Sequence, residues 1–124
     1  MNTIKERDLK LGLNQFAHAC VKLAISLPMN KLGNHIRKQL IRCATSTAAY
    51  YRPSLGQTKK SFISKLNIVI QEADECIFWI EFLAEEKLST ETNYRLILKD
   101  ATELTPIFIT SCRTAEKSVT RGEN

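Results

Sequence analysis

The stretch "KKSFISKLNIVIQEADECIFWIEFLAEE", Lys59–Glu86, decides the fold. Its apolar residues fall at Phe62, Leu66, Val69, Ala73, Cys76, Ile80 and Leu83, spaced by alternating fours and threes. An α-helix turns every 3.6 residues, so that spacing draws one continuous apolar stripe along a single helix face. Between them fall Lys65, Gln71, Glu72, Asp74, Glu75 and Glu81, together with further apolar residues such as Phe78 and Phe82. Thr58 stands where an N-cap is needed.

Working outward, the same period recurs in three more segments. Leu9, Leu13, Phe16, Cys20, Leu23 and Leu27 form the first stripe. Ile36, Leu40, Cys43, Thr47 and Tyr50 form the second, and Tyr94, Ile97, Ala101, Leu104, Phe108 and Ser111 the last. Breaks fall at Pro28–Asn30, Pro53–Gly56 and near Lys87–Thr90, where Ser89 or Thr90 offers an N-cap. The predicted helices span about 8–27, 31–51, 58–86 and 91–117. Four amphipathic helices joined by short connections predict an all-α, antiparallel up-down-up-down four-helix bundle in a single domain over residues 1–124. Pro106 lies inside the fourth pattern and predicts a kink, since it lacks a donor and crowds the carbonyl of Thr102. The small residues Cys43–Ala49 on the second helix predict close approach of a neighbouring backbone.

The 124-residue chain carries a formal net charge of +5, unevenly distributed. Residues 1–65 hold twelve Lys and Arg against Glu6 and Asp8 alone, a net of +10. Residues 66–124 hold six against eleven acids, a net of −5. Such asymmetry suits a basic face for a polyanion or complementary faces for self-assembly. The plainer alternative is that the halves neutralise one another within one fold. The N-terminus is charged and has no apolar signal core, and "CIFWIEFLA" is too short to span a bilayer. Together these predict a cytoplasmic protein without membrane partners.

Catalytic and metal chemistry find no support in the spacing. The cysteines, Cys20, Cys43, Cys76 and Cys112, fall one per helix with no C-x-x-C pair. Counting ~1.5 Å per residue puts Cys20, Cys43 and Cys76 at roughly 10–18 Å from one end of the bundle and Cys112 at ~33 Å, so four ligands do not share a layer. They read as buried structural thiols. A di-iron bundle needs Glu-x-x-His, but Gln15 precedes His18 and Leu32 precedes His35 at that spacing. "RPSLGQTKKS" lacks the phosphate-loop spacing. No nucleophile–base pair is evident. The expectation is a non-enzymatic protein with no metal and no cofactor.

Two surfaces remain as candidates. Arg37, Lys38, Arg42, Arg52, Lys59, Lys60 and Lys65 make a basic set, and Tyr50 and Tyr51 beside them offer rings for stacking on unpaired bases. Glu72, Asp74 and Glu75 read as a solvated face or as salt-bridge partners of Arg42. Phe78 and Phe82 on the third helix, and Val21 and Ile25 on the first, lie beside the main stripes. One stripe per helix suffices for a monomer, so these predict an oligomer interface, unless the stripes are simply broad.

Residues Gln39–Leu83 also carry a family resemblance. "QLIRCATSTAAYYR" and "KKSFISKLNIVIQEADECIFWIEFL" resemble the small bundle proteins encoded in intervening sequences of bacterial large-subunit ribosomal RNA genes. Gln39, Arg42, Ser46, Ala49, Phe62, Lys65, Leu66, Glu72, Ala73, Asp74, Glu75 and Trp79 stand at that family's motif positions, while Tyr50 replaces its usual Asn. The chain is also similar to the accessory protein of diversity-generating retroelements, a basic bundle that binds nucleic acid and a reverse transcriptase. The resemblance implies a four-helix bundle, a ring-shaped homopentamer and no catalysis. The functional expectation is an oligomeric, nucleic-acid-associated scaffold. The alternative is a protein–protein adaptor, for a reverse-transcriptase-like partner, that does not itself bind nucleic acid.

Overall fold

The computed structural model describes the backbone of residues 4–54 and 58–122 and the side chains of residues 8–52 and 58–122. Among these residues the chain forms four helices and no strand: α1 (Ile4–Ile25), α2 (Lys31–Ser54), α3 (Lys59–Glu85) and α4 (Glu91–Thr120). Consecutive helices pack on each other and α4 closes on α1 along the thinnest seam, while the backbones of the diagonal pairs α1/α3 and α2/α4 stay farther apart and meet only through core side chains. This is the four-helix bundle that the periodicity predicts. α3 and α4, of 27 and 30 residues, are longer than α1 and α2, of 22 and 24. No helix among the described residues is long and apolar enough to cross a membrane.

The core follows the stripes. All six residues of the first stripe are buried, as are Leu66, Val69, Ala73, Cys76, Ile80 and Leu83 of α3. On α2, Ile36, Leu40, Cys43 and Thr47 are fully enclosed, and small Ala44 beside them lets the backbones close in. The buried Thr47 hydroxyl donates to the carbonyl of Ala44 at 2.7 Å. It therefore carries no unmet polar demand.

Two stripes depart from the expected register. From Thr47 the core steps four residues to Tyr51, 3% exposed, rather than three to Tyr50, which is 38% exposed. The ring of Tyr51 meets Phe108 of α4 edge-on, with centroids 5.4 Å apart. On α4 the step after Phe108 is likewise four, to Cys112, and the stripe continues through Ala115 and Ser118 while Ser111 is half-buried. The chain remains helical on both sides of Pro106, whose ring is exposed.

The turns are held by specific polar groups. Asn30 caps α2, its Oδ1 accepting from the N–H of Gly33 at 2.8 Å, which satisfies one of the donors a helix start leaves open. Arg37 reaches back to the end of α1, donating to the carbonyls of Ala24 at 3.1 Å, Leu27 at 2.5 Å and Pro28 at 3.3 Å. The Ala24 and Pro28 carbonyls also accept from the N–H groups of Leu27 and Asn30, at 3.2 and 3.0 Å, so Arg37 adds charged donors to a turn that backbone bonds already close. Thr58 caps α3 by accepting from the N–H of Ser61, and Thr90 occupies the N-cap of α4 without a side-chain bond. After α3, Lys87 takes φ 56° and the N–H of Leu88 donates to the carbonyl of Leu83 at 2.9 Å. That left-handed stop places the connection where the sequence breaks.

Candidate nucleic-acid interface

The α2/α3 seam joins five of the motif residues, Gln39, Arg42, Glu72, Glu75 and Trp79, in one hydrogen-bonded chain. Arg42 of α2 bridges Glu72 of α3 at 3.0 Å and also pairs with Glu75, as the sequence reading anticipates. Gln39 accepts from the guanidinium at 3.4 Å. Glu75 in turn accepts from the Trp79 indole at 3.1 Å, and the Trp79 ring meets His35 edge-on at 5.4 Å. The hydrogen bond to Glu75 and the charge of both carboxylates hold the Arg42 guanidinium above its ordinary pKa. Arg42 therefore serves the seam, and its charge is met within the chain.

The other expected cations divide by position. Arg37 clamps the end of α1. Arg52 follows it fifteen residues later on α2. At a rise of ~1.5 Å per residue the two stand roughly 22 Å apart along the helix. Lys59 donates to the Ser118 hydroxyl on α4 and so leans inward. Lys65 lies 5.5 Å over the ring of Tyr50, a cation–π contact across the seam. Lys38, Arg52 and Lys60 are exposed and make no ion pair among the described residues. Of the two tyrosines expected to offer rings for stacking, Tyr50, placed by the spacing in the apolar stripe, is the exposed one. Tyr51 is enclosed by the core, and its ring cannot stack on a base without opening the bundle.

Three further cations lie between Asp8 and Glu72 outside the expected set: Lys10, Lys22 and Lys31. The signal was available, because no Asp or Glu occurs between Asp8 and Glu72. Lys22 and Lys31 are exposed, and Lys10 is half-buried. Lys10 and Arg52 flank an open cleft of about 390 Å³ between α1 and α2, floored by Leu13, Ala48 and Tyr51.

The expected interface residues also separate. Phe78 is 52% exposed and Ile25 64% exposed, while Phe82 and Val21 are half-buried beside them. Phe78, Trp79 and Phe82 pack ring against ring at 4.9 to 6.1 Å, which fixes the exposed aromatic in place. The cysteines are free and buried. Cys43 and Cys76 stand 3.1 Å apart, whereas Cys112 neighbours Asn67 and Glu116. Thiol hydrogen bonding and burial push Cys43 and Cys76 far above the ordinary thiol range, and burial pushes Cys112 up to about 11. Among the described residues, no group of three or more His, Cys, Asp or Glu is placed to hold a metal ion.

An all-α bundle with this seam defines the class, and one solved structure places the chain within it. A Bacteroides thetaiotaomicron protein of unknown function, from the S23 ribosomal protein family, superposes with a TM-score of 0.73 at 31% sequence identity. The match covers 84% of this chain and 97% of that one. The chain belongs to the S23 ribosomal protein family. No family model matches it, and no curated protein matches it.

Proposed function

We propose that the protein is a non-enzymatic, cytoplasmic, self-associating bundle that serves as a scaffold for RNA or DNA, of the kind encoded in intervening sequences of bacterial ribosomal RNA genes. The observation that carries this reading is the carboxylate-free run between Asp8 and Glu72. Of its cations, Lys22, Lys31, Lys38, Arg52 and Lys60 are exposed, and none of these five pairs with a carboxylate among the described residues, as Arg42 does. Their charge is left open to a partner. Each exposed cation near a phosphate releases a counterion, and a ring of subunits, pentameric in the resembling family, repeats Lys38, Arg52 and Lys60 many times. Tyr50, held under Lys65, adds a partly exposed ring for an unpaired base.

The test is fluorescence anisotropy with structured RNA and with single- and double-stranded DNA over a range of salt. Steeply salt-dependent binding, flattened by Arg52→Ala combined with Lys60→Ala, is the expected result. Absence of binding at low salt removes the reading. One observation favours a second reading, an adaptor for a polymerase-like protein: the rigid, half-exposed Phe78 ring is suited to a protein surface. Under that reading Phe78→Glu abolishes partner capture, and nucleic acid does not bind the isolated protein.

A further inference from the structure

We propose that subunits join head to tail, the acid-rimmed aromatic face of α3 on one copy seating on the base-rimmed aliphatic shoulder of α1 on the next. This rests on the self-association in the functional reading above and names the two surfaces that meet.

The first surface is the outward strip of the last turns of α3. Phe78 stands at its centre, met edge-on by Trp79 and at a tilt by Phe82. Asp74, Glu81 and Glu85 are exposed along the same strip, and no Lys or Arg occurs between Lys65 and Lys87. The second surface is the shoulder at the end of α1. Ile25 is 64% and Met29 83% exposed there, with the exposed Lys22 one turn before and Lys31 at the start of α2. It lies wholly inside the carboxylate-free run. Each surface is an apolar centre with a rim of one sign, and the signs are opposite.

Their placement decides how copies pair. α1 and α3 run in the same direction, and both surfaces lie in the C-terminal turns, so they share one level of the bundle. The two helices are diagonal neighbours across the core, so their outward faces point away from each other. A contact between two different patches on opposite sides of a subunit repeats from copy to copy and closes into a ring when the rotation permits. Pairing α3 with α3 instead sets acid against acid around Phe78, and like charges at a rim select against that arrangement.

The experiment is charge reversal read by sedimentation and light scattering over a concentration series, with helical content checked for each variant. Lys22→Glu alone and Glu81→Lys alone each raise the concentration at which assembly is half complete by about tenfold or more, and the two together in one chain restore it to within about threefold of wild type. Lys31→Glu, at the first position of α2 where an acid favours the helix, repeats the first effect if Lys22→Glu disturbs folding. Wild-type assembly that ignores both lysine reversals, or that strengthens with Glu81→Lys alone, overturns the head-to-tail pairing. A monomeric wild type overturns self-association itself.

Discussion

Gly33→Ala and Gly12→Ala are the same chemical change within two helices, and the structure gives them opposite signs. A Cβ on Gly33 meets the carbonyl oxygen of Pro28 at 2.0 Å, the Pro28 carbonyl carbon at 3.0 Å and Asn30 Oδ1 at 3.1 Å. Ordinary contact begins near 3.4 Å, so the backbone of the α1–α2 turn must retreat by more than an ångström. Overpacking of that kind costs about 1–3 kcal/mol. The retreat also loosens the Asn30 cap and the Arg37 bond to Pro28. A cap is worth about 1 kcal/mol. Alanine returns about 1 kcal/mol in helix propensity. The net expectation is a loss of about 2 kcal/mol, or roughly 8 °C in Tm for a chain of this size. At Gly12 a Cβ finds only Leu104 Cδ2, at 3.8 Å. The propensity gain stands there, and stability rises by about 0.5–1 kcal/mol. Urea denaturation at fixed protein concentration reads both, because assembly adds its own concentration dependence. A Gly33→Ala midpoint equal to or above wild type refutes the close-approach account of the turn.

Arg37→Ala should strip charged donors from the end of α1. The loss should cost about 2 kcal/mol of stability while leaving the salt slope of nucleic-acid binding unchanged. Lys60→Ala should do the reverse, changing stability by less than about 0.5 kcal/mol and flattening the slope by about 1. Unfolding measured against pH should show stability flat below about 9 and falling toward 11, because thiols freed by unfolding ionise from 9.0 upward while the folded Cys112 holds its proton to about 11. Cys112→Ala should reduce that alkaline slope, and an unchanged slope would count against the burial of this thiol. The Arg42 side chain is 48% exposed, so its charge is screened by solvent. A double-mutant cycle on Arg42 and Glu75 should therefore give less than about 1 kcal/mol. A coupling above about 2 kcal/mol would show that the seam is drier than its geometry indicates.

The apolar spacing of Lys59–Glu86 and its three counterparts was enough to specify four helices and most of their core faces, while α2 runs on to Ser54, past the start of the expected Pro53–Gly56 break, whose residues 55 and 56 lie outside the described ones. Helical period is a local property: a residue's position relative to its own helix neighbours sets which face is apolar. The separation of Cys112 from the other thiols follows from the same rise per residue. What the spacing could not set is the last step of a stripe. Tyr50 and Tyr51 differ by about 100° of rotation, and both are aromatic, so their own helix is indifferent between them. The choice of Tyr51 for the core is made by Phe108 on α4, a residue far away in sequence. The basic set behaves the same way. Arg37, Lys38 and Arg42 look alike on the page, yet the first clamps the end of α1, the second is exposed and the third is neutralised by α3. A side chain's charge is written in its own chemistry, but whether that charge remains open to a partner depends on which carbonyls and carboxylates other helices bring within reach, and packing alone decides that.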